Sequence, residues 1–389
     1  MSLKDNIDTA GIPTTSGSMV DIDRVPDADA LAWSRLRDEG GAVLVGKAHM
    51  CEFAYRSHHP ALGRVRNPHQ PERATGGSSS GSAAAVAAGL VPTSIGTDTG
   101  GSVRIPAAYC GVVGLKGTYG EIETAGIVPL SPTMDHVGVL ARSVTDAAIV
   151  FEQMVRHPMQ LVDPESLEIQ RPDPHRLKIG VDRGYFASQA QQGVLSGWSE
   201  SVRLLQEAGC ELVPVEVTQA ARWRAAHKTI LLSEAWGFHA HRLRSDAPYG
   251  SVFRTSVAVG SYITKRTYER ALQVREEAKT SMTEILSTID AMITPTCPTV
   301  APPLDEGRRR LSYTRYTTLA AFTGVPAISV PAGTNAAGLP IGVQLMAALH
   351  AEPPLLRVAV LLEDLLAQSA TPPRAGGSVH QGSLKERTR

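Results

Sequence analysis

The sequence predicts an α/β protein built on a largely parallel or mixed sheet. Three observations carry that reading. Short apolar runs with strand character alternate along the chain with stretches of helical period, as in sheets covered by helices. The 389 residues are 42 % hydrophobic, ample for a large buried core. No internal repeat and no strong linker divides them.

In chain order, a helix is expected at 28–39 and a strand at 42–45 (AVLV), then a helix at 82–90 and a strand at 91–95 (VPTSI). A helix at 144–155 opens on a capping pattern, Ser143-Val-Thr-Asp146, in which the serine oxygen can accept an otherwise unpaired backbone N–H. Strands at 177–181 (LKIGV) and 211–217 (ELVPVEV) flank a helix at 194–208. Helices at 222–244 and 267–286 precede strands at 291–293, 327–330 and 342–345, and a helix at 353–366 closes the pattern. Lys4 lies among residues that could form a short strand entering the core. The Pro- and charge-rich segment 158–175 marks a join between a front half and an inserted helical lobe, and the polar, Gly/Pro-rich stretch 371–389 reads as a frayed tail.

Lys plus Arg and Asp plus Glu both number 38, so no overall field draws the chain to nucleic acid or anionic lipid, and small neutral partners are favoured. Cys51, Cys110, Cys210 and Cys297 are far apart and form no CxxC pair, which predicts buried free thiols rather than disulfides or zinc ligands. The opening MSLKDNIDTAG lacks a signal-peptide core and no run of about 18 apolar residues occurs, so a soluble, cytoplasmic protein is expected.

Chemistry concentrates in two Gly/Ser-rich loops that bracket an alanine-rich helix. The first, GGSSSGS at 76–82, runs into a helix and could present backbone N–H groups to an anion, but it has no GK[ST] or GxGxxG pattern for phosphate. The second, GTDTGGSVRIP at 96–106, places Gly100 and Gly101 before Ser102. Two glycines allow backbone angles closed to other residues and can turn several N–H groups toward one point beside the Ser102 hydroxyl, as an oxyanion hole requires. Asp98 and Arg104 flank this loop and could pair to brace it.

A serine nucleophile needs a base. The histidines near the loops offer none at an informative spacing: His136 reads as a core or wall residue, and His239 and His241, two apart on a helix, point different ways and read as surface residues rather than a metal pair. Lysine remains, chiefly Lys4 and Lys116, and a lysine serves as a base only when burial favours its neutral form.

The text around these residues resembles the amidase signature family of serine hydrolases. The matching stretches are KDNIDTAGIPTTSGS, GKAHMCEFA, the run from GGSSSGS through GTDTGGSVRIPAAYCGVVGLKGTYG, SPTMDHVGVLARSVTDA, DAMITPTCPTVAPP and GVPAISVPAG…GLPIGVQLM. The resemblance implies one α/β domain over 1–370, with a mixed, twisted central sheet flanked by helices on both sides and a variable, mainly helical substrate-side region at 158–285. It assigns Lys4 as catalytic lysine, Ser78 as a bridging serine in a cis peptide, Ser102 as nucleophile, and the N–H groups of Thr99, Gly100, Gly101 and Ser102 as oxyanion hole. No metal and no cofactor is implied.

Three departures accompany the resemblance. The family carries several dozen residues before its lysine where this chain has three, which predicts poorer burial of Lys4. Ser80 stands where many members have glycine, so Ser78 is chosen among three adjacent serines by its 24-residue spacing to Ser102. Gly117 replaces the proline of LKPT, a change expected to loosen a turn. Trp236, Phe238, Tyr262 and Tyr268 are candidates for an acyl pocket or for core, while Glu52 and Asp135 could face the site or brace it. The leading expectation is an amidase acting on a small-molecule amide, a homodimer being possible. The alternatives are the glutaminase component of a tRNA-dependent amidotransferase, an esterase or ureido-hydrolase with the same triad, and an inactive homologue. Ile105, where that glutaminase has Gln, argues against the first alternative.

Overall fold

The computed structural model describes residues 1–304 and 313–370; the tail expected at 371–389 lies outside them. Its strands are β1 (Ser2–Lys4), β2 (Gly46–Ala48), β3 (Thr93–Asp98), β4 (Val113–Lys116), β5 (His136–Ala141), β6 (Lys178–Val181), β7 (Glu211–Pro214), β8 (Ala291–Pro295), β9 (Ala327–Thr334) and β10 (Pro340–Met346). They form one mixed sheet in the order β2-β1-β3-β5-β4-β9-β10-β8-β6-β7. Pairing is parallel at both ends and antiparallel from β3 through β8.

The helices are α1 (Leu31–Asp38), α2 (Ser80–Ala87), α3 (Arg104–Cys110), α4 (Val144–Glu152), α5 (Gln192–Glu207), α6 (Ala220–Leu243), α7 (Ser251–Ala258), α8 (Lys265–Leu286), α9 (Thr318–Thr323) and α10 (Glu352–Ala370). They cover both faces, and the strands divide their apolar side chains accordingly. Ile293 and Leu345 pack into one core with α4, α5 and α10, while their neighbours Met292 and Met346 pack into the other with α6 and α8, the alternation a pleated strand imposes. The α4 cap forms as its pattern implies, Ser143 Oγ accepting from Asp146 N at 3.1 Å. All four cysteines are buried free thiols. Among the described residues no helix is long and apolar enough to cross a membrane.

Several elements differ from expectation. Residues 42–45 form no strand, and Val43 and Val45 are 74 % and 70 % exposed; the sheet edge instead takes up Gly46–Ala48, whose pairing with β1 outweighs the apolar run just before it. Strands β4 and β5 and the short helices α3, α7 and α9 lack a legible period. Inside the segment 158–285, β6 and β7 extend the common sheet, so its helices hang on that sheet. The expected slackness at Gly117 is also corrected: a Cβ there would lie 2.3 Å from Phe151 Cζ, so the missing side chain lets the ring close against the backbone.

Candidate active site

The site is built where β1 lies against β3. Their parallel pairing, Ser2 with Ser94 and Leu3 with Ile95, places Lys4 and Thr97 at the same, C-terminal end of the sheet. Lys4 has no exposed surface, so the short run ahead of it does not impair its burial. Its Nζ lies 2.7 Å from Ser78 Oγ, 2.6 Å from Thr97 Oγ1 and 3.3 Å from the Thr97 carbonyl. Burial pushes the Lys4 pKa down from 10.5 to about 7, against the opposing pull of Cys51, Asp98 and Asp135. A neutral amine has two hydrogens and one lone pair. With Thr97 accepting, the lone pair is left to take the Ser78 O–H.

The three adjacent serines are separated by geometry. Ser78, whose peptide bond to Gly77 is cis, is the one beside Lys4. Ser79 is spent on the Thr97 backbone, donating to its carbonyl at 3.2 Å, and its own N–H donates to the Ser102 carbonyl at 3.1 Å. Ser80 donates to the Gly76 carbonyl at 2.8 Å within the first turn of α2. Ser102 is half-buried, and its hydroxyl has no hydrogen-bond partner among the described residues.

Between β3 and α3 the Ser102 loop is braced from beneath. Arg104 sets its Nε and Nη2 3.0 Å from the two Asp98 oxygens, both side chains fully buried. Burial alone would push the Asp98 carboxyl up, but the Arg104 guanidinium holds it well below the usual carboxylate range. Asp98 also accepts from the N–H of Gly101 at 2.6 Å and of Val103 at 3.1 Å. The Gly101 N–H is thereby withdrawn from the four donors expected of an oxyanion hole, because a fully buried carboxylate claims it. The N–H groups of Thr99, Gly100 and Ser102 have no acceptor among the described residues. Gly101 adopts φ +127°, and a Cβ there would meet Thr317 Oγ1, so only glycine fits.

Asp135 is a brace: it accepts from Thr99 Oγ1 at 2.6 Å and from the N–H groups of Leu130 and Ser131 at 2.9 Å. Glu52 accepts from Ser18 Oγ at 2.7 Å and from Gly250 N at 3.1 Å, and has no hydrogen bond to Ser78 or Ser102 among the described residues. Lys116 is buried and likewise pushed down to about 7, yet among the described residues it donates only to the carbonyls of Gly117 and Val325. His136 is buried against the carbonyls of Met134 and Asp98. His239, expected at the surface, is instead fully buried beside Phe53 and Tyr249, while His241 is exposed. Tyr262 and Phe238, 86 % and 44 % exposed, lie outside the core, while Trp236 and Tyr268 are half-buried. No cluster of metal-ligating side chains occurs among the described residues.

Sequence reasoning missed three contributors to this site: Thr97, which holds Lys4, Thr317, which donates to the Gly100 carbonyl at 2.7 Å, and His227, whose Nε2 lies 2.8 Å from the Thr99 carbonyl. Thr317 and His227 are 217 and 128 residues distant from the loop they touch, and no local pattern marks them.

Residues 1–356 match the family described as Amidase. The A component of the glutamyl-tRNA(Gln) amidotransferase of Koribacter versatilis is 34 % identical over 405 residues, covering 94 % of this chain and 84 % of its own. Among solved structures, the corresponding amidotransferase component of Thermotoga maritima is similar with a TM-score of 0.77 at 32 % identity, covering 92 % of this chain and 81 % of its own. The peptide amidase of Stenotrophomonas maltophilia gives 0.76 at 30 % identity, covering 94 % and 82 %. A match across nearly the whole described chain, in sequence and in fold, makes this protein a member of the amidase family, whose enzymes act on carbon–nitrogen bonds.

Proposed function

We propose that the protein hydrolyses a small carboxamide through a Ser102–Ser78–Lys4 relay. The observation that carries this reading is the fully buried Lys4 amine, pushed down to about 7 and 2.7 Å from Ser78 Oγ. Neutral Lys4 takes the Ser78 proton as Ser78 takes that of Ser102, and Ser102 Oγ bonds to the amide carbon. Charge gathers on the carbonyl oxygen, where the free N–H groups of the Thr99–Ser102 loop stabilise it. The Lys4 ammonium then returns its proton through Ser78 to the nitrogen, the C–N bond breaks, and amine or ammonia leaves. Water, deprotonated by the same relay, releases the acid and restores Ser102.

A second reading is the glutaminase component of a tRNA-dependent amidotransferase. The name and 34 % identity of the Koribacter versatilis relative support it, while Ile105 speaks against it. The same relay would then release ammonia from glutamine to a partner protein.

Intact-mass analysis after treatment with a fluorophosphonate tests the shared chemistry. One adduct is expected on the parent and none on Ser102→Ala; a folded parent without an adduct refutes it. Turnover of simple amides by the isolated chain supports the first reading, and glutamine hydrolysis that rises only on adding partner proteins supports the second.

A further inference from the structure

The Ser102 loop is held from above by one helix. His227 and Glu234 stand seven residues apart on α6, two turns along and on one face. His227 reaches the Thr99 carbonyl at 2.8 Å. Glu234 accepts from Ser131 Oγ at 2.6 Å, Thr133 N at 3.2 Å, Thr133 Oγ1 at 2.7 Å and Tyr268 OH at 2.8 Å. It thereby fixes the segment that leads into Asp135, the acceptor of Thr99 Oγ1. Helix α6 thus grips Thr99 twice, by its backbone directly and by its side chain through a short loop.

We propose that His227 is a positioning residue that sets the orientation of the Thr99–Gly100 peptide, and through it the aim of the Gly100 N–H. In a trans peptide the N–H points opposite to the preceding carbonyl. Tying the Thr99 carbonyl to α6 therefore turns the Gly100 N–H to the face of the loop away from α6. Because Asp98 takes the Gly101 N–H, the loop has fewer donors to offer, and each remaining one counts more. Gly100 also lets the ring come close: a Cβ there would lie 3.1 Å from His227 Cε1. Burial pushes His227 down to about 4, so the ring is neutral at pH 7 with a single N–H, and a carbonyl, which only accepts, assigns that hydrogen to Nε2.

The inference rests on the serine-hydrolase reading above, and labelling by a fluorophosphonate tests the two separately. The second-order labelling rate is measured on the parent, on His227→Phe, which keeps a ring without the donor, and on His227→Gln, which restores an N–H near Nε2. The expected result is a fall of about 10- to 100-fold for His227→Phe, short of the roughly 10²–10³ that losing an oxyanion donor outright costs, with recovery to within a few fold in His227→Gln. Melting temperatures show whether each variant is folded, and His227→Leu replaces His227→Phe if the larger ring is not accommodated. A parental rate in a folded variant lacking the donor overturns the role of His227 alone. A folded His227→Gln as slow as His227→Phe does the same, since the ring and not its N–H would then matter. A parent that fails to label overturns both proposals.

Discussion

Replacing Lys4 with methionine keeps an unbranched side chain, one atom shorter, and removes the amine. Burial displaces the Lys4 pKa from 10.5 to about 7, which corresponds to roughly 5 kcal/mol favouring the neutral form. At neutral pH the fold therefore carries a cost for holding this group, offset by hydrogen bonds to Ser78 and Thr97 at about 0.5–1.5 kcal/mol each. The folded pKa lies below the unfolded one, so between about 7 and 10.5 the unfolded chain binds a proton that the folded chain does not. The parent thus gains stability as pH rises through that window, at up to about 1.4 kcal/mol per pH unit, and below about 7 the full cost of the buried ammonium is present. Lys4→Met lacks this dependence. Lys116, also pushed down to about 7, titrates in both proteins and cancels in their difference. Urea unfolding of parent and Lys4→Met at pH 7, 8 and 9 is expected to show the variant at least as stable as the parent at pH 7, then losing about 2 kcal/mol relative to it by pH 9. A difference that stays flat over this range refutes the reasoning, because Lys4 would then not change protonation on folding. Labelling of Ser102 is expected to vanish in the variant at every pH.

Three further outcomes follow from the same geometry. Ser78→Ala is expected to slow fluorophosphonate labelling by about 10²–10⁴, whereas Ser80→Ala, which loses its bond to the Gly76 carbonyl and a contact with the Cys51 thiol, stays within a few fold of the parent. Arg104→Leu leaves the buried Asp98 carboxylate without its cation and costs about 3–5 kcal/mol in urea unfolding, with loss of labelling as the Ser102 loop slackens. Gly117→Ala drives a Cβ to 2.3 Å from Phe151 Cζ and lowers stability by about 1–3 kcal/mol; combining it with Phe151→Leu recovers part of that, as a melting-temperature cycle will show.

The parts of the fold that can be read in the sequence are those with a period. The helices near 144–155, 194–208, 222–244 and 267–286 and the strands near 177–181 and 291–293 carry their apolar spacing openly, and the structure has them within a few residues. The short strand expected around Lys4 forms as β1, whereas β4 and β5 are glycine-broken, and pairing with other strands, not propensity, makes VGLK extended. The site divides in the same way. Lys4, Ser78 and the Ser102 loop sit in distinctive local text. Which serine meets the amine is settled by packing, since Ser79 and Ser80 are drawn off to backbone carbonyls. The loss of the Gly101 donor turns on which way a buried carboxylate points, and the grip of His227 and Thr317 depends on contacts across more than a hundred residues for which one sequence holds no signal.

Strand β1 sits between β2 and β3, and its hydrogen bond from Ser2 Oγ to Ser94 Oγ spans 92 residues. During synthesis the amine of Lys4 leaves the ribosome long before the strand that will shelter it. Until β3 has emerged and β1 has docked beside it, that amine remains in water as an ordinary ammonium, unable to take a proton from serine. On the proposed relay, a nascent chain would carry a fully translated Ser102 loop and still be inert. Reactivity on that relay would arrive only with the closure of this long-range pairing, a slow kind of step in folding, so Ser102 would be armed only once β1 lies beside β3.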